Sequence, residues 1–508
     1  MNANKIVSLL SIIALVLTIS GCRWFFKKIE RETIFDRVVS IPKDLVLDIP
    51  YLPPLCDKIP GLKKGYVDID NGGRLYYEEQ GQGIPIVLIN GGPGCTHHSF
   101  HPYFSQIKDI ARVIYYDQRG TGKSSSDNTG KTYTIKQAVQ DLESLRKALK
   151  IDKWVVLGWS YGGLLAQCYA LTYPEHCTGL ILVASTSGVV EPVTKAVRNK
   201  MFLSQVEVDA IGDINKKFLA GNITSIQELY NKLLSGDWKK QGYYKPTQNK
   251  MVRAARYEWQ PTPGFREVIQ VDANKINLAG KFDDFEIPTL ITEAKWDLMW
   301  WNPDRAEIMR KNHPHARLEM FEKSGHAIFA DEPKKFFDLA KMFVKQSSKK
   351  KIAIKPGNRL EWPEPMSDLG FKLKMAALLE DKTKKDNIFL DVYEQALREN
   401  ITDSSVWNNL SYHFICKKDA EKALLALERL ESSLEKEGPN AWRRWNYLVK
   451  AWQGHMLDLL GRRQEALVCY KESLKVIDGR STNMPNMMVI NKEWLEKRLE
   501  SHFSWEQK

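Results

Sequence analysis

The chain has 508 residues, a formal charge of +12 and 43% hydrophobic residues. That length holds a full α/β domain and a second domain after it. The positive charge is not gathered into a nucleic-acid motif, which excludes nucleic acid as an expected partner and leaves an anionic membrane surface, acidic partners or a lysine-rich proteome as its reading.

Taken in chain order, the first element is a targeting signal. Lys5 precedes an apolar run from Ile6 to Ile19, too short to span a bilayer and the right length for a signal h-region. It ends in Ile19-Ser20-Gly21-Cys22, which resembles the bacterial lipoprotein box. The resemblance implies a signal peptide over 1–21 and lipidation of Cys22, with an uncleaved anchor or an ordinary signal peptide as alternatives. It predicts a lipid-anchored protein of the bacterial cell envelope, outside the cytoplasm. Arg23, rather than aspartate, follows the cysteine; in a Gram-negative envelope this leans toward the outer membrane. Residues 22–60 carry Pro42, Pro50, Pro53, Pro54 and Pro60 and read as a tether. Its apolar part, Leu45 to Leu55, is expected to lie along a protein surface.

A hairpin follows, with strands Tyr66–Asp70 and Leu75–Glu79 about an Asn71-Gly72 turn. The strand Ile84–Ile89 then runs into Asn90-Gly91-Gly92-Pro93-Gly94, a loop whose missing side chains expose backbone N–H donors. Next comes Val113-Ile114-Tyr115-Tyr116, followed by Asp117-Gln118-Arg119-Gly120, where the planar fork of Arg119 suits it to tying the strand-end loop together. His97, His98 and His101 lie between these motifs. They lack an ordered set of thiolates or carboxylates, so no metal site is predicted; they are expected to line the site entrance or cap the helix after the loop.

Trp154–Leu157 is apolar, Gly158-Trp159-Ser160-Tyr161-Gly162-Gly163 follows, and a helical stretch begins at Leu164. A serine on a tight turn between strand and helix is a nucleophile candidate, and the amide of Tyr161 with one from Gly91 or Gly92 would hold an oxyanion. The partners appear in the required order. Asp297 follows the strand Pro288–Thr292, and His326 leaves the strand Arg317–Phe321. Singly, Asp297 reads as a helix N-cap and His326 as a turn residue; together, at strand carboxyl ends, they read as acid and base.

The glycine-rich loop, the Asp-Gln-Arg-Gly segment and the serine elbow together resemble the proline iminopeptidase (prolyl aminopeptidase) branch of the α/β-hydrolases, over residues 61–347. The resemblance implies a serine peptidase with a helical cap, about 188–285, that removes N-terminal residues, often proline, from short peptides. It maps the triad onto Ser160, Asp297 and His326 and needs no cofactor or metal. Asn90 stands where the family usually has histidine. The family holds the substrate amine with cap glutamates, commonly after a tryptophan; here the order is Tyr257-Glu258-Trp259. Glu258 is therefore the candidate amine anchor, with pairing to Arg253 or Arg256 as the alternative, and Glu293 is the second candidate. Cap aromatics such as Trp238, Tyr243 and Tyr244 either bind a proline-like side chain or form the lid's own core. An esterase or amidase of the same fold, and a non-catalytic membrane-anchored adaptor, remain as other readings.

Beyond a linker at 348–366 the pattern is helical. Phe389, Tyr393 and Ala396 recur 34 positions later as Ala423, Leu427 and Leu430; Trp407 and Leu410 open that second unit, and Gly454, Ala466, Tyr470 and Ser473 mark a third. This resembles tetratricopeptide repeats and predicts an all-α domain over 367–495 with a surface for a protein or peptide partner, an unrelated bundle being the alternative. Cys95 and Cys168 read as small buried packing residues.

Overall fold

The computed structural model describes residues 52–70, 72–186, 244, 248–297, 305–349, 360–362, 366–379, 381–437, 439–477, 482–483 and 489–505. The signal, Cys22 and most of the expected cap, Trp238 and Tyr243 included, lie outside the described residues.

β1 (Lys63–Asp68) and β2 (Arg74–Gln80) form the antiparallel hairpin, with Asp68 facing Arg74. The first strand begins and ends earlier than its sequence pattern predicts. Gly72 and Gly73 both take positive φ (76° and 97°), and the Ile69 N–H donates to Gly73 O at 3.1 Å, so the turn takes in Ile69 and Asp70. β3 (Ile84–Ile89), β4 (Ala111–Tyr116), β5 (Trp154–Trp159), β6 (Cys177–Val183), β7 (Thr289–Ala294) and β8 (Arg317–Phe321) complete an eight-stranded sheet in the order β1-β2-β4-β3-β5-β6-β7-β8. β2 meets β4 antiparallel, and every pairing from β4 through to β8 is parallel.

Parallel strands need crossovers, and these cover the sheet on both sides. α1 (Ile135–Ala148) and α2 (Tyr161–Thr172) share one core with Val87 and Ile89 of β3, while the alternate residues Ile86 and Leu88 face a second core with Phe100, Phe104, Phe336 and Phe343. Arg119 behaves as its chemistry predicts. It forms a two-pronged pair with Asp141 of α1 at 2.8 Å on each prong and donates to the carbonyls of Gly72 and Asp70. Cys95 and Cys168 are buried.

Further along the chain come α3 (Gln248–Arg253), α4 (Phe265–Lys275), α5 (Arg305–Asn312), α6 (Ile328–Asp331) and α7 (Pro333–Ser347). The helices after them are α8 (Asp368–Ala377), α9 (Lys382–Arg398), α10 (Ser404–Lys417), α11 (Ala420–Glu437), α12 (Pro439–Leu459), α13 (Arg463–Val476) and α14 (Lys492–Glu500). From α9 to α13 successive helices pack on one another and bury Phe389, Tyr393, Ala396, Trp407, Leu410, Ala423, Leu427 and Leu430 in one core. The positions related by 34 residues are therefore the buried ones. α12 and α13 approach closely at Gly454, where a Cβ would lie 2.5 Å from the Tyr470 ring.

The helical region is docked on the α/β domain. Phe371 of α8, with Leu360 and Met366 from the expected linker, is buried in the core that contains α1, α2 and α4. Gly264, at the start of α4, leaves room for Met375; a Cβ there would lie 2.6 Å from the Met375 sulfur. The described end of the tether, residues 52–60, is fixed too. Tyr257 donates its hydroxyl to Leu52 O at 2.9 Å, Arg253 Nε donates to Pro53 O at 3.2 Å, and Cys56 is buried. Residues 45–51 lie outside the described residues.

Candidate active site

The site grows from the carboxyl ends of β3, β5, β7 and β8. Between β5 and α2, Ser160 sits at φ 56°, ψ −124°. A non-glycine residue at positive φ costs on the order of 1–3 kcal/mol and persists only where its surroundings fix it. Here they do: Ser160 N–H donates to Val183 O at 2.9 Å, and Ser160 O accepts from Gly163 N–H at 2.9 Å and from the Ser185 hydroxyl at 3.2 Å. A side chain at Gly158 would meet Gly162 O at 2.2 Å, and one at Gly162 would meet Ile89 O at 2.2 Å. Both glycines are required by this close passage of strand, turn and helix.

Asp297 and His326 come together. His326 Nδ1 lies 2.9 Å from Asp297 Oδ2, and both side chains are buried. His326 is also secured to the elbow: Trp159 Nε1 donates to its carbonyl at 2.9 Å and the two rings lie 5.4 Å apart. Trp159 directly precedes Ser160, so the imidazole is tied to the residue next to the strained serine. Burial alone would raise the Asp297 carboxyl, but His326 and Arg305 outweigh it and hold it at about 2.

Arg305, which no sequence motif marks, completes the acidic side of the site. Its Nη1 reaches Asp297 Oδ2 at 2.8 Å, its Nη2 donates to Ser185 O at 2.8 Å and its Nε lies 3.0 Å from Glu293 Oε2. Glu293, expected as a second amine anchor, is instead buried at the end of β7 and paired with this arginine. Burial pushes its carboxyl up to about 7; Arg305 offsets part of this, and Asp297 adds to it. No local pattern marks an arginine eight residues beyond an aspartate as its partner, because that spacing matches neither helical nor strand periodicity.

The glycine loop lies against the elbow. A Cβ on Gly91 would be 3.2 Å from Ser160 Cβ, and Tyr161 is the first residue of α2, where a backbone N–H has no partner within the helix. Asn90 clamps the loop to its neighbour: Nδ2 donates to Tyr116 O, and its own carbonyl accepts from Gln118 Nε2. The 258–262 segment threads between this loop and the Asp-Gln-Arg-Gly loop. Thr96 N–H donates to Glu258 O, Gln260 N–H to Gly94 O, Gly122 N–H to Gln260 O and Thr262 N–H to Gly120 O. Glu258 is half-buried beside Tyr103, whose phenol is raised by burial and further by the Glu258 carboxylate.

The three histidines depart from expectation. His97, His98 and His101 do not line an entrance; all are buried. The short 3₁₀ turn His97–Phe100 is capped by Thr96, whose side chain accepts from His98 N–H. His101 Nε2 lies 2.9 Å from Glu78 Oε2, and His97 Nδ1 lies 2.8 Å from Asp117 Oδ1. Sequence spacing could not foresee this, because Glu78 arrives on β2 and Asp117 in the loop after β4.

The sheet order and its covering helices are those of an α/β-hydrolase fold, and the α/β hydrolase fold family matches residues 84–333. Across these residues the chain is proline iminopeptidase-like. A proline iminopeptidase of Saccharolobus solfataricus is 29% identical over 287 residues, covering 53% of this chain and 87% of its own. One from Lactiplantibacillus plantarum is 29% identical over 282 residues, 52% of this chain and 93% of its own. A probable proline iminopeptidase of Leptolyngbya boryana reaches 42% over 111 residues, 21% of this chain and 34% of its own.

Proposed function

We propose that this hydrolase is a serine aminopeptidase that releases N-terminal residues, proline among them, from short peptides. The observation that carries the reading is the His326–Asp297 contact at 2.9 Å, bound through Trp159 to the serine at φ 56°. In this reading His326 takes the Ser160 proton as Oγ attacks the scissile carbonyl, while Asp297 fixes the imidazole tautomer and balances the imidazolium. The oxyanion is held by the amide of Tyr161 and one from Gly91 or Gly92, donors that typically contribute about a hundredfold or more in rate. The protonated imidazole gives its proton to the leaving amine. Water, deprotonated by His326, then releases the acyl group from Ser160. Glu258, beside the glycine loop, serves as the anion for the substrate's cationic amine; Glu293, already engaged by Arg305, does not.

Cys22 carries the lipid that holds the protein at the envelope membrane, which is the outer membrane if the cell is Gram-negative. Residues 367–495 are a tetratricopeptide-like array offering a surface to a protein or peptide. The burial of residues 34 positions apart supports the repeat reading. Among the described residues no helix is long and apolar enough to cross a membrane.

The experiment compares the protein and its Ser160→Ala variant on proline and alanine naphthylamides, their N-acetylated forms and p-nitrophenyl esters. Serine-dependent cleavage of the free-amine substrates that is lost on acetylation is the expected result. Turnover of esters alone would replace it with an esterase, and no serine-dependent turnover would leave an adaptor.

A further inference from the structure

Behind the glycine loop, away from the triad, the fold gathers a second set of reactive side chains. Cys56 comes from the tether, His97 and His98 from the turn after the loop, Glu78 from β2. One ligand atom from each of Cys56, His97 and His98 lies within 4.8 Å of the other two, and all three residues are buried. We propose that Cys56, His97 and His98 bind a zinc ion that staples the N-terminal tether to the hydrolase domain.

Three observations carry it. First, the spacing suits the ion. Zinc takes sulfur at about 2.3 Å and nitrogen at about 2.0–2.1 Å in a tetrahedron, which puts neighbouring ligand atoms about 3.3–3.6 Å apart. Cys56 Sγ and His98 Nδ1 are 3.4 Å apart. Second, His97 is set up as a ligand. Its Nδ1 faces Asp117 Oδ1 at 2.8 Å, and that carboxylate also accepts from His97 N–H, which fixes the ring. With the proton on Nδ1, the Nε2 lone pair points inward. Nε2 is buried and makes no hydrogen bond. A carboxylate behind a metal-binding imidazole is the usual way such a ligand is oriented. Third, charge can balance. Glu78 Oε1 lies 3.5 Å from His97 Nε2, outside the three-residue ligand set but close enough that its charge, with that of the thiolate, offsets a divalent cation. The Cys56 thiol proton leaves to solvent as the metal–sulfur bond forms.

The consequence is mechanical. Cys56 follows the segment whose Leu52 and Pro53 carbonyls accept from Tyr257 and Arg253, and the His98 ring lies 5.3 Å from that of Tyr257. An ion here would join tether, glycine-loop turn and the segment leading to Glu258 at one point. It would fix how a membrane-proximal tether presents the hydrolase.

The test uses the detergent-solubilised full chain, stripped of metal by chelator and titrated anaerobically with Co²⁺. The expected result is one Co²⁺ per chain with a thiolate-to-cobalt charge-transfer band, bleached by one equivalent of Zn²⁺. The band disappears in Cys56→Ser and persists in Cys95→Ser. Should Cys56→Ser fail to fold by circular dichroism, His98→Gln retains the thiol and weakens Co²⁺ binding by about tenfold or more. A wild-type protein with no charge-transfer band, a band that survives Cys56→Ser, or His98→Gln binding as tightly as wild type overturns the proposal.

Discussion

Arg305 places one positive charge between two buried carboxylates, and the two respond in opposite directions. Asp297, shared with His326, is held at about 2, whereas Glu293 is pushed up to about 7 by burial, which its share of the arginine offsets only in part. The signs follow from linkage. Glu293 keeps its proton in the folded protein while the unfolded chain ionises, so its stabilisation is full below about 4.5 and is lost as pH rises to about 7. Asp297 stabilises above its unfolded pKa and loses this as pH falls toward about 2. We expect Glu293→Gln to remove a stability decline of at most about 3 kcal/mol between pH 4.5 and 7, read from urea midpoints across that range; an unchanged decline assigns it to other groups. In its proposed amine-binding role, Glu258→Gln should raise KM for free-amine naphthylamides about tenfold, with ester KM little changed. Equal effects on both substrates would remove Glu258 from amine binding.

At the scale of elements, the elbow works because β5, α2 and β3 approach without intervening side chains. Gly158 would place a Cβ 2.2 Å from a backbone oxygen, and a backbone cannot yield as the tip of a flexible side chain can. Gly158→Ala is therefore expected to lose about 3 kcal/mol of stability, measured by urea unfolding, and to lower kcat along with it because Ser160 is displaced. A variant of wild-type stability would mean that the turn has slack. The three-way grip of Arg305 is the corresponding element around Asp297, joining β7, α5 and the chain after β6 through Glu293, Asp297 and Ser185.

At the scale of the molecule, the helical region and the hydrolase share buried surface. Phe371 and Met366 insert beside α4, and α4 in turn follows the 258–262 segment that is laced to the glycine loop. Removing Phe371 leaves a cavity in a core common to both regions. Phe371→Ala is expected to cost about 3–5 kcal/mol and to split one thermal transition into two, seen by calorimetry; a single unshifted transition would mean that the docking contributes little.

The sequence by itself determined the local parts: the alternating and apolar strand runs, the strained turn about Ser160, the chain order of Ser160, Asp297 and His326, and the 34-residue spacing of buried helix positions. These are legible because backbone geometry and side-chain periodicity are short-range properties. What only the tertiary structure decided is which distant charges meet. Arg305 on Asp297 and Glu293, the burial of His97 and His101 against Glu78 and Asp117, and the return of Cys56 to His98 each join segments from separate strands or loops. Their sequence separation carries no periodic signal, and the low-dielectric interior, which requires every buried charge to find a partner, selects the pairing only once the sheet has closed.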